Sequence, residues 1–324
     1  MSMTSRERVL TAIAHKEPDR VPYNLRVVPE LLDMVESEIG TRDYAEYFAH
    51  DVRYVPGILP PLPPKPDGVP VTEWTPRPTP EDIADLKKKT QALHDRGIAV
   101  CGGYYMGVFE RTKDWIGDEA TMIGPYTDPK GFADMLDRIV EWKCALYGSF
   151  AAAGMDIVLF GDDFGTQRSL VMSPKQYREW YRPRHRQIVD HLRSIRSDVK
   201  IAFHSCGHVT PLVRDFIEIG IDILEAVQAE CMDIEQLKRE FGKDITFWGG
   251  VGAQSVLART TPEQVIEGVR RTLRVMAPGG GYIGAPCHTL MEEVPWDSIA
   301  AFHQAMKIYG AYPNPGDSGD SGPC

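Results

Sequence analysis

Apolar and polar positions follow two periods along most of the chain, and the second half shows the clearest rhythm. Short apolar runs of strand length precede longer segments in which apolar residues recur at helical spacing. Four such pairs follow one another, and their apolar runs are "VKIAFHSCG", "IDILEAVQ", "DITFWGGV" and "GGYIGAPCH". Because a helical segment follows each run, the pattern predicts parallel strands joined by helical crossovers.

The first half of the chain predicts similar elements at less regular intervals. Apolar residues at helical spacing indicate a helix over 5–15, and "RVPYNLRVV" is a strand candidate. A helix is expected over 79–96, where a threonine precedes "PED", and a longer one over 128–153. In "SPKQYREWYRPRHRQIVDHL" Ser173 is the expected N-cap, and Pro183 is expected to kink or divide the helix.

These pairs favour a (β/α)8 barrel, or TIM barrel, over a doubly wound sheet, because no GxGxxG follows the first strand. One α/β domain is expected over residues 1–312. Prolines interrupt residues 56–80, "PGILPPLPPKPDGVPVTEWTPRPTP", so we expect an irregular insertion there. The tail, residues 313–324, is poor in apolar side chains and is expected to be disordered.

Composition and charge narrow the class of protein. The 324 residues carry a formal net charge of -10, and 43% of them are hydrophobic. Nucleic-acid binding requires a basic surface, which this balance argues against. No apolar stretch approaches the roughly 20 residues that cross a bilayer. The six cysteines are widely spaced and the first residues lack a secretory pattern, so we expect a cytoplasmic protein with reduced thiols. Homo-oligomer formation stays open.

The polar residues that end the predicted strands are the first candidates for chemistry, because the carboxyl ends of barrel strands carry it. His204 and Cys206 lie two positions apart, which places them on one face of their strand. Glu225 ends the next strand and Cys287 ends the last. Thiolates, an imidazole and a carboxylate form a zinc-type set, and three firm ligands with one exchangeable position are typical of a catalytic site. Ordinary packing is the alternative for each residue taken alone.

Further candidates lie at other strand ends. Asp162 and Asp163 follow "IVLFG" and are candidate catalytic residues that donate a proton, hold a substrate hydroxyl or orient a metal ligand. Capping of the following turn is their alternative role. Tyr104, Tyr105 and Trp248 are candidates to flank an aromatic substrate, with packing as the alternative.

The sequence resembles the uroporphyrinogen decarboxylase superfamily over most of its length. The similarity lies in "SRERVLTAIAHKEPDRVP", "DDFGTQRSLVMSPKQYREWYRPRHRQIV", "FHSCGHV", "ILEAVQ", "TFWGGVGAQSVLARTTPEQV" and "GGGYIGAPCH". This resemblance implies a (β/α)8 barrel. True uroporphyrinogen decarboxylases carry an "RQAGRY"-type segment that binds substrate carboxylates. The matching stretch here is "YNLRVVPELLD", which retains only Arg26 and argues against decarboxylation of a tetrapyrrole.

Within that superfamily the chain is more similar to the zinc methyltransferases of cobalamin-dependent demethylation, whose mark is HxC followed far downstream by a cysteine. The resemblance implies one zinc ion per chain on His204, Cys206 and Cys287, with Glu225 in the place of an acidic ligand. It also implies a small methylated substrate, such as an aryl methyl ether, and a partner corrinoid protein that carries cobalamin. Transfer from methylcobalamin to a thiol or pterin would use the same ligands. A corrinoid-protein-binding module without turnover is the alternative outside enzymes.

Overall fold

The computed structural model of this chain describes residues 3–55, 67–104, 106–258 and 260–312, and for Tyr104 it describes the backbone alone. Its strands are β1 (Val52–Tyr54), β2 (Ala99–Tyr104), β3 (Ile157–Gly161), β4 (Lys200–His204), β5 (Ile223–Val227), β6 (Thr246–Val251) and β7 (Tyr282–Pro286). Its α-helices are α1 (Ser5–Ile13), α2 (Leu32–Ile39), α3 (Tyr44–Tyr47), α4 (Pro80–His94), α5 (Phe109–Ile116), α6 (Asp118–Thr127), α7 (Pro129–Ala152), α8 (Pro174–Gln176), α9 (Arg182–Ile195), α10 (Val213–Glu218), α11 (Ile234–Phe241), α12 (Pro262–Met276) and α13 (Trp296–Tyr309).

The seven strands of the described residues are ordered β1 to β7 as in the chain, with helices between them, which is the order of a TIM barrel. The predicted α/β barrel class is therefore confirmed. The residues divide into two units. The first comprises Met1–Arg53, Gly97–Ala99 and Ile223–Cys324, and the second comprises Tyr54–Arg96 and Val100–Asp222.

In the second unit β2, β3 and β4 are parallel neighbours, with Leu159 opposite Gly103 on one side and Ala202 on the other. Every residue of β3 is buried. A strand covered on both faces needs no alternation of polar residues, which explains the continuous apolar run in its sequence. The long helix α7 packs against both β3 and α9.

In the first unit β5, β6 and β7 are parallel neighbours, and the register of β5 shifts between Glu225 and Val227. The predicted strand "RVPYNLRVV" forms isolated bridges, such as Tyr23 opposite Gly284, rather than a regular strand. Proline removes a ladder donor from this segment, since Pro22 has no N–H and joins β7 only through its carbonyl, which accepts from Gly284 N.

Four helices begin at capping boxes, which explains why their starts are readable from the sequence. In each, a hydroxyl accepts a hydrogen bond from the backbone N–H three residues later, and the side chain there accepts from the N-cap N–H. The pairs are Thr4–Glu7, Thr79–Asp82, Ser173–Gln176 and Thr261–Gln264. A π-helix, Tyr177–Tyr181, precedes α9, and Pro183 lies in the first turn of α9, so the predicted division of this helix is confirmed.

Part of the predicted proline-rich insertion, residues 56–66, lies outside the described residues, as does the predicted tail, 313–324. The described part of the insertion, residues 67–80, contains a single 3-10 turn at Val71–Glu73 and no strand. Among the helices that the structure describes, none has the length and apolarity needed to cross a membrane.

Candidate metal centre

His204, Cys206 and Asp163 bring three potential ligand atoms together in the second unit. His204 is the last residue of β4, and Asp163 follows β3 by two positions. Gly161 lies opposite His204 in the parallel pairing, so the two strand ends are side by side. The three ligand atoms lie within 4.8 Å of one another. His204 Nε2 is 3.4 Å from Cys206 Sγ and 3.5 Å from Asp163 Oδ1.

The two loops that carry these side chains are fixed against each other. Asp163 Oδ1 accepts a hydrogen bond from Cys206 N at 2.7 Å. Gly165 and Gly207 pass so closely that a Cβ on either residue would run into backbone atoms of the other loop, and Gly207 has a left-handed φ of +79. Both features require glycine. The glycine of the "HSCGHV" stretch therefore serves to place the two loops in contact.

The donor set of this group fits a zinc ion. Thiolate, imidazole and carboxylate are all zinc ligands, and the spacing of the three atoms is short enough for one ion to contact each of them. His204 is buried, whereas the side chain of Asp163 is 38% exposed. One side of the group is therefore accessible, as an exchangeable ligand position requires.

Asp162 has a different environment from Asp163, although the two are adjacent. It is fully buried. Its Oδ2 accepts from Val108 N at 2.8 Å and its Oδ1 from Glu110 N at 2.9 Å. Oδ2 also lies 2.9 Å from His185 Nε2, and since an ionised carboxylate can only accept, His185 donates this bond. Asp162 thus holds the start of α5 in place.

Two further features secure this position. His185 Nδ1 faces the hydroxyl of Tyr177 at 3.4 Å, and both side chains are fully buried. A Cβ at Gly107 would overlap Asp162 Oδ2, so the segment before α5 lies directly on the carboxylate. Sequence reasoning missed His185 because it comes 23 positions after Asp162 and no local pattern connects them.

Glu110 is a second carboxyl group beside the centre that the sequence did not indicate. Burial raises its pKa to about 7, and the nearby carboxylates of Asp162 and Asp163 contribute in the same direction. The imidazole of His204 acts in the opposite direction. Glu110 therefore adds a protonatable group to the surroundings of Asp163 near neutral pH.

The other two predicted ligands belong to the first unit. Glu225 in β5 is buried and accepts a hydrogen bond from Arg26 Nη2 at 2.8 Å. Cys287 directly follows β7, and its Sγ donates to Glu230 Oε2 at 3.2 Å and accepts from Ala253 N at 3.2 Å. The participation of Glu225 and Cys287 in a metal centre stays a prediction.

Glu230, which the sequence did not single out, connects Cys287 with the short π-helix Ala253–Leu257 of the first unit. In addition to Cys287, it accepts bonds through Oε1 from Gln254 N, Ser255 N and Ser255 Oγ. Burial alone would raise the pKa of Glu230, but these hydrogen bonds lower it below the ordinary value of a glutamate. Glu230 thus fixes the position of the Cys287 side chain.

The three aromatic candidates differ in what the structure describes. Trp248 is buried in the first unit, and its Nε1 donates to Asn24 Oδ1 at 2.8 Å. Tyr104 ends β2, and Tyr105 lies outside the described residues. Their contact with a substrate stays a prediction.

Comparisons with known proteins identify the family and the fold of the chain. A family model described as "Uroporphyrinogen decarboxylase (URO-D)" matches residues 119–309, which is more than half of the chain. The chain belongs to the uroporphyrinogen decarboxylase family. The matched range contains all six of the predicted ligand and catalytic positions from Asp162 to Cys287. No curated protein matches the chain.

Two solved structures share the fold of this uroporphyrinogen decarboxylase family member. A methyltransferase from Methanosarcina mazei is 16% identical, with a TM-score of 0.71, and the match covers 94% of this chain and 99% of that one. A glycosylated endo-beta-1,4-xylanase of glycoside hydrolase family 10 from Gloeophyllum trabeum is 10% identical, with a TM-score of 0.52, and covers 91% and 98%. At these identities the matches show a shared fold.

Proposed function

We propose that this protein is a zinc-dependent methyltransferase that passes a methyl group from a small methylated compound to the cobalamin of a partner corrinoid protein. The observation that carries this proposal is the convergence of Asp163, His204 and Cys206 at the ends of β3 and β4. Family membership and the fold shared with a methyltransferase support it.

The ligands that would hold zinc are His204 Nε2, Cys206 Sγ and a carboxylate oxygen of Asp163. To these the sequence-based prediction adds Cys287, with Glu225 as a further acidic ligand. When bound, zinc supplies a Lewis acid for the atom from which the methyl group departs. The mixed sulfur, nitrogen and oxygen donors match that requirement, because zinc binds all three types and keeps a position for substrate in catalytic sites.

The protein must also supply a proton to the demethylated product. Loss of a methyl group from an ether oxygen leaves an oxyanion that must gain a proton. A carboxyl group beside the zinc ligands is available for this role, Glu110, whose pKa burial raises to about 7. Asp162 acts as a positioning residue in this scheme, because its oxygens already accept bonds from Val108 N, Glu110 N and His185 and place Glu110 beside Asp163.

One contact argues against the alternative of tetrapyrrole decarboxylation. Arg26, the one arginine retained in the segment that binds substrate carboxylates in the decarboxylases, is bonded to Glu225 within the protein. The charge of this guanidinium is therefore already balanced by a buried carboxylate.

The test measures methyl transfer to free cob(I)alamin from a panel of aryl methyl ethers, methylated amines and methylated thiols. The formation of methylcobalamin is monitored by its absorbance. We expect the wild type to transfer the methyl group. In His204→Ala and Cys206→Ser the rate should fall by a factor of about 100 or more. Cys144→Ser, which changes a half-buried thiol of α7, is the matched control and should keep the wild-type rate. Equal rates in wild type and both ligand variants would contradict the proposal.

A further inference from the structure

Two cationic side chains of the second unit are buried against the same indole ring, and the proposed reaction uses neither. The guanidinium carbon of Arg111, in α5, is 5.1 Å from the ring centroid of Trp142. The Nζ of Lys143, in α7, is 4.9 Å from it. Arg111 is 7% exposed and Lys143 is 1% exposed. Such groups are costly to bury unless a counter-charge or hydrogen bonds compensate them.

The compensation for Arg111 within the described residues is incomplete. Its Nη1 donates to Asp114 Oδ2 at 2.5 Å, but the Asp114 side chain is 45% exposed. The partner of Nη2 is Met106 Sδ at 3.7 Å, and a thioether is a weak acceptor. The buried Nε has no hydrogen-bond partner in the described part of the chain. The guanidinium thus makes one charge-assisted bond, although its planar edges suit bidentate pairs.

A second donor and a second cation lie beside this guanidinium. Trp115 stacks on Trp142, with centroids 6.0 Å apart, and its buried Nε1 also has no partner among the described residues. Lys143 Nζ faces the ring of Tyr147 at 5.6 Å as well. Burial lowers the pKa of Lys143 to about 7, and the charge of Arg111 acts in the same direction. The carboxylates of Asp162, Glu110 and Asp114 act in the opposite direction. What the cluster lacks among the described residues is an acceptor for Arg111 Nε and Trp115 Nε1.

The cluster adjoins the candidate metal centre, and a partly exposed methionine contacts Arg111. Met106 begins the segment that Asp162 holds through Val108 N, and the hydroxyl of Tyr147 donates to Met106 O at 3.2 Å. Met106, whose sulfur contacts Arg111 Nη2, is 37% exposed. Movement of this flexible side chain would release Arg111 Nη2 from its thioether contact.

We propose that Arg111, with Trp115 and Lys143 around it, binds a carboxylate group of the substrate. A carboxylate is planar and matches the Nε–Nη2 edge of a guanidinium in a bidentate pair. Its oxygens supply the acceptors that Arg111 Nε and Trp115 Nε1 lack among the described residues. The protein would then act on methylated acids in preference to neutral methyl ethers. The identity of the acid as methyl donor rests on the proposed function, whereas carboxylate binding does not.

The test is isothermal titration calorimetry with para-methoxybenzoate and with its neutral amide, which has the same shape and no charge. We expect the wild type to bind the acid about tenfold more tightly than the amide. Arg111→Gln should remove this preference. Arg186→Gln is the matched control, because Arg186 is exposed and pairs with exposed Asp190, and it should keep the preference.

A second variant covers the event that Arg111→Gln disturbs the fold, which circular dichroism would reveal. Met106→Ala removes the thioether that covers Arg111 Nη2, so the acid should bind as tightly as in wild type or more tightly, and weaker binding contradicts the proposal. Equal affinity for acid and amide, no measurable binding of either at millimolar concentration, or a preference that survives in folded Arg111→Gln would overturn it. Acid binding without methyl transfer would keep the carboxylate site and reject the proposed function.

Discussion

Two clusters of charged residues in this protein are built in opposite ways. In the first unit, the carboxylate of Asp51 is fully buried, and both of its oxygens accept hydrogen bonds. It accepts bonds from Arg8 Nη1 and Arg20 Nη1, each at 2.6 Å, and from Tyr23 N at 2.9 Å. Asp19 accepts a further bond from Arg8 Nε at 2.6 Å. The short contacts and matched charges identify a cluster that holds the fold.

In the candidate metal centre of the second unit, the side chains make longer contacts with one another. The His204 and Cys206 side chains meet at 3.4 Å, and His204 Nε2 and Asp163 Oδ1 are 3.5 Å apart. Three ligand atoms converge there with long mutual contacts, and one of the three side chains is partly exposed. Buried charges with full sets of hydrogen-bond partners stabilise the fold. Ligand atoms that converge with only long mutual contacts indicate instead a binding site for a metal ion.

The largest change in stability is expected from Asp51→Asn. Arg8 and Arg20 then face a neutral amide, so the free energy of unfolding should fall by about 3–5 kcal/mol. Urea denaturation measures this loss. Asp33→Asn is the control, because Asp33 pairs with Arg42 at an exposed position and should cost at most about 1 kcal/mol. Similar losses in the two variants would remove the distinction between a buried, saturated cluster and a surface pair.

The adjacent aspartates that follow β3, Asp162 and Asp163, should show the same contrast between a structural group and a ligand. Asp162→Ala leaves Val108 N, Glu110 N and His185 without their acceptor, so we expect a loss of about 2–4 kcal/mol in unfolding free energy. Asp163→Ala should change stability by about 1 kcal/mol or less, because its side chain is partly exposed, yet lower zinc occupancy. Urea denaturation and elemental analysis of both variants check this pair. An Asp163→Ala variant with full zinc would contradict the assignment of Asp163 as a ligand.

The smallest expected effect concerns a buried histidine pair of the first unit. His50 Nε2 and His303 Nε2 are 2.8 Å apart, and His303 Nδ1 is 2.8 Å from Ile299 O. His303 therefore donates through Nδ1 and accepts from His50. Burial lowers the pKa of His50, and it lowers that of His303 to about 3. Both histidines are consequently neutral in the folded protein at neutral pH.

This arrangement predicts a sensitivity to acid. The folded pKa values lie below the unfolded value, so the stabilisation is complete above about pH 6.5 and is lost as the pH falls below it. We expect His303 alone to contribute a loss of roughly 1–2 kcal/mol at pH 5 relative to pH 7, measured by urea denaturation. His303→Gln should reduce this pH dependence. An unchanged dependence in that variant would assign the acid sensitivity to other groups.

Much of the fold could be predicted because its signals are local. The hydroxyl and carboxyl groups of a capping box lie three residues apart, as in Thr79 and Asp82, and a strand buried on both faces is a continuous apolar run, as in β3. The regular strand predicted from "RVPYNLRVV" was wrong, because its bridges depend on β7 and on the missing N–H of Pro22. Pro22 is local, but the β7 partners of the segment, such as Gly284, lie more than 200 residues away along the chain.

The candidate site could be predicted in part for the same reason. Two-residue periodicity predicts that His204 and Cys206 share one face of a strand. In the structure β4 ends at His204 and Cys206 follows in a loop, yet the two side chains meet at 3.4 Å. The approach of Asp163 as a third ligand atom depends on the pairing of β3 with β4. The Arg111 and Lys143 cluster depends on the packing of α5 against α7, which no spacing in the sequence reveals.

Elemental analysis of the purified protein tests the central claim most directly, with His204→Ala and the half-buried His191→Ala beside it. We expect about one zinc ion per chain in wild type and in His191→Ala, and a loss of zinc in His204→Ala without loss of the fold. Wild-type protein that binds no zinc after incubation with the metal, or His204→Ala protein that retains it, would contradict the assignment of this centre.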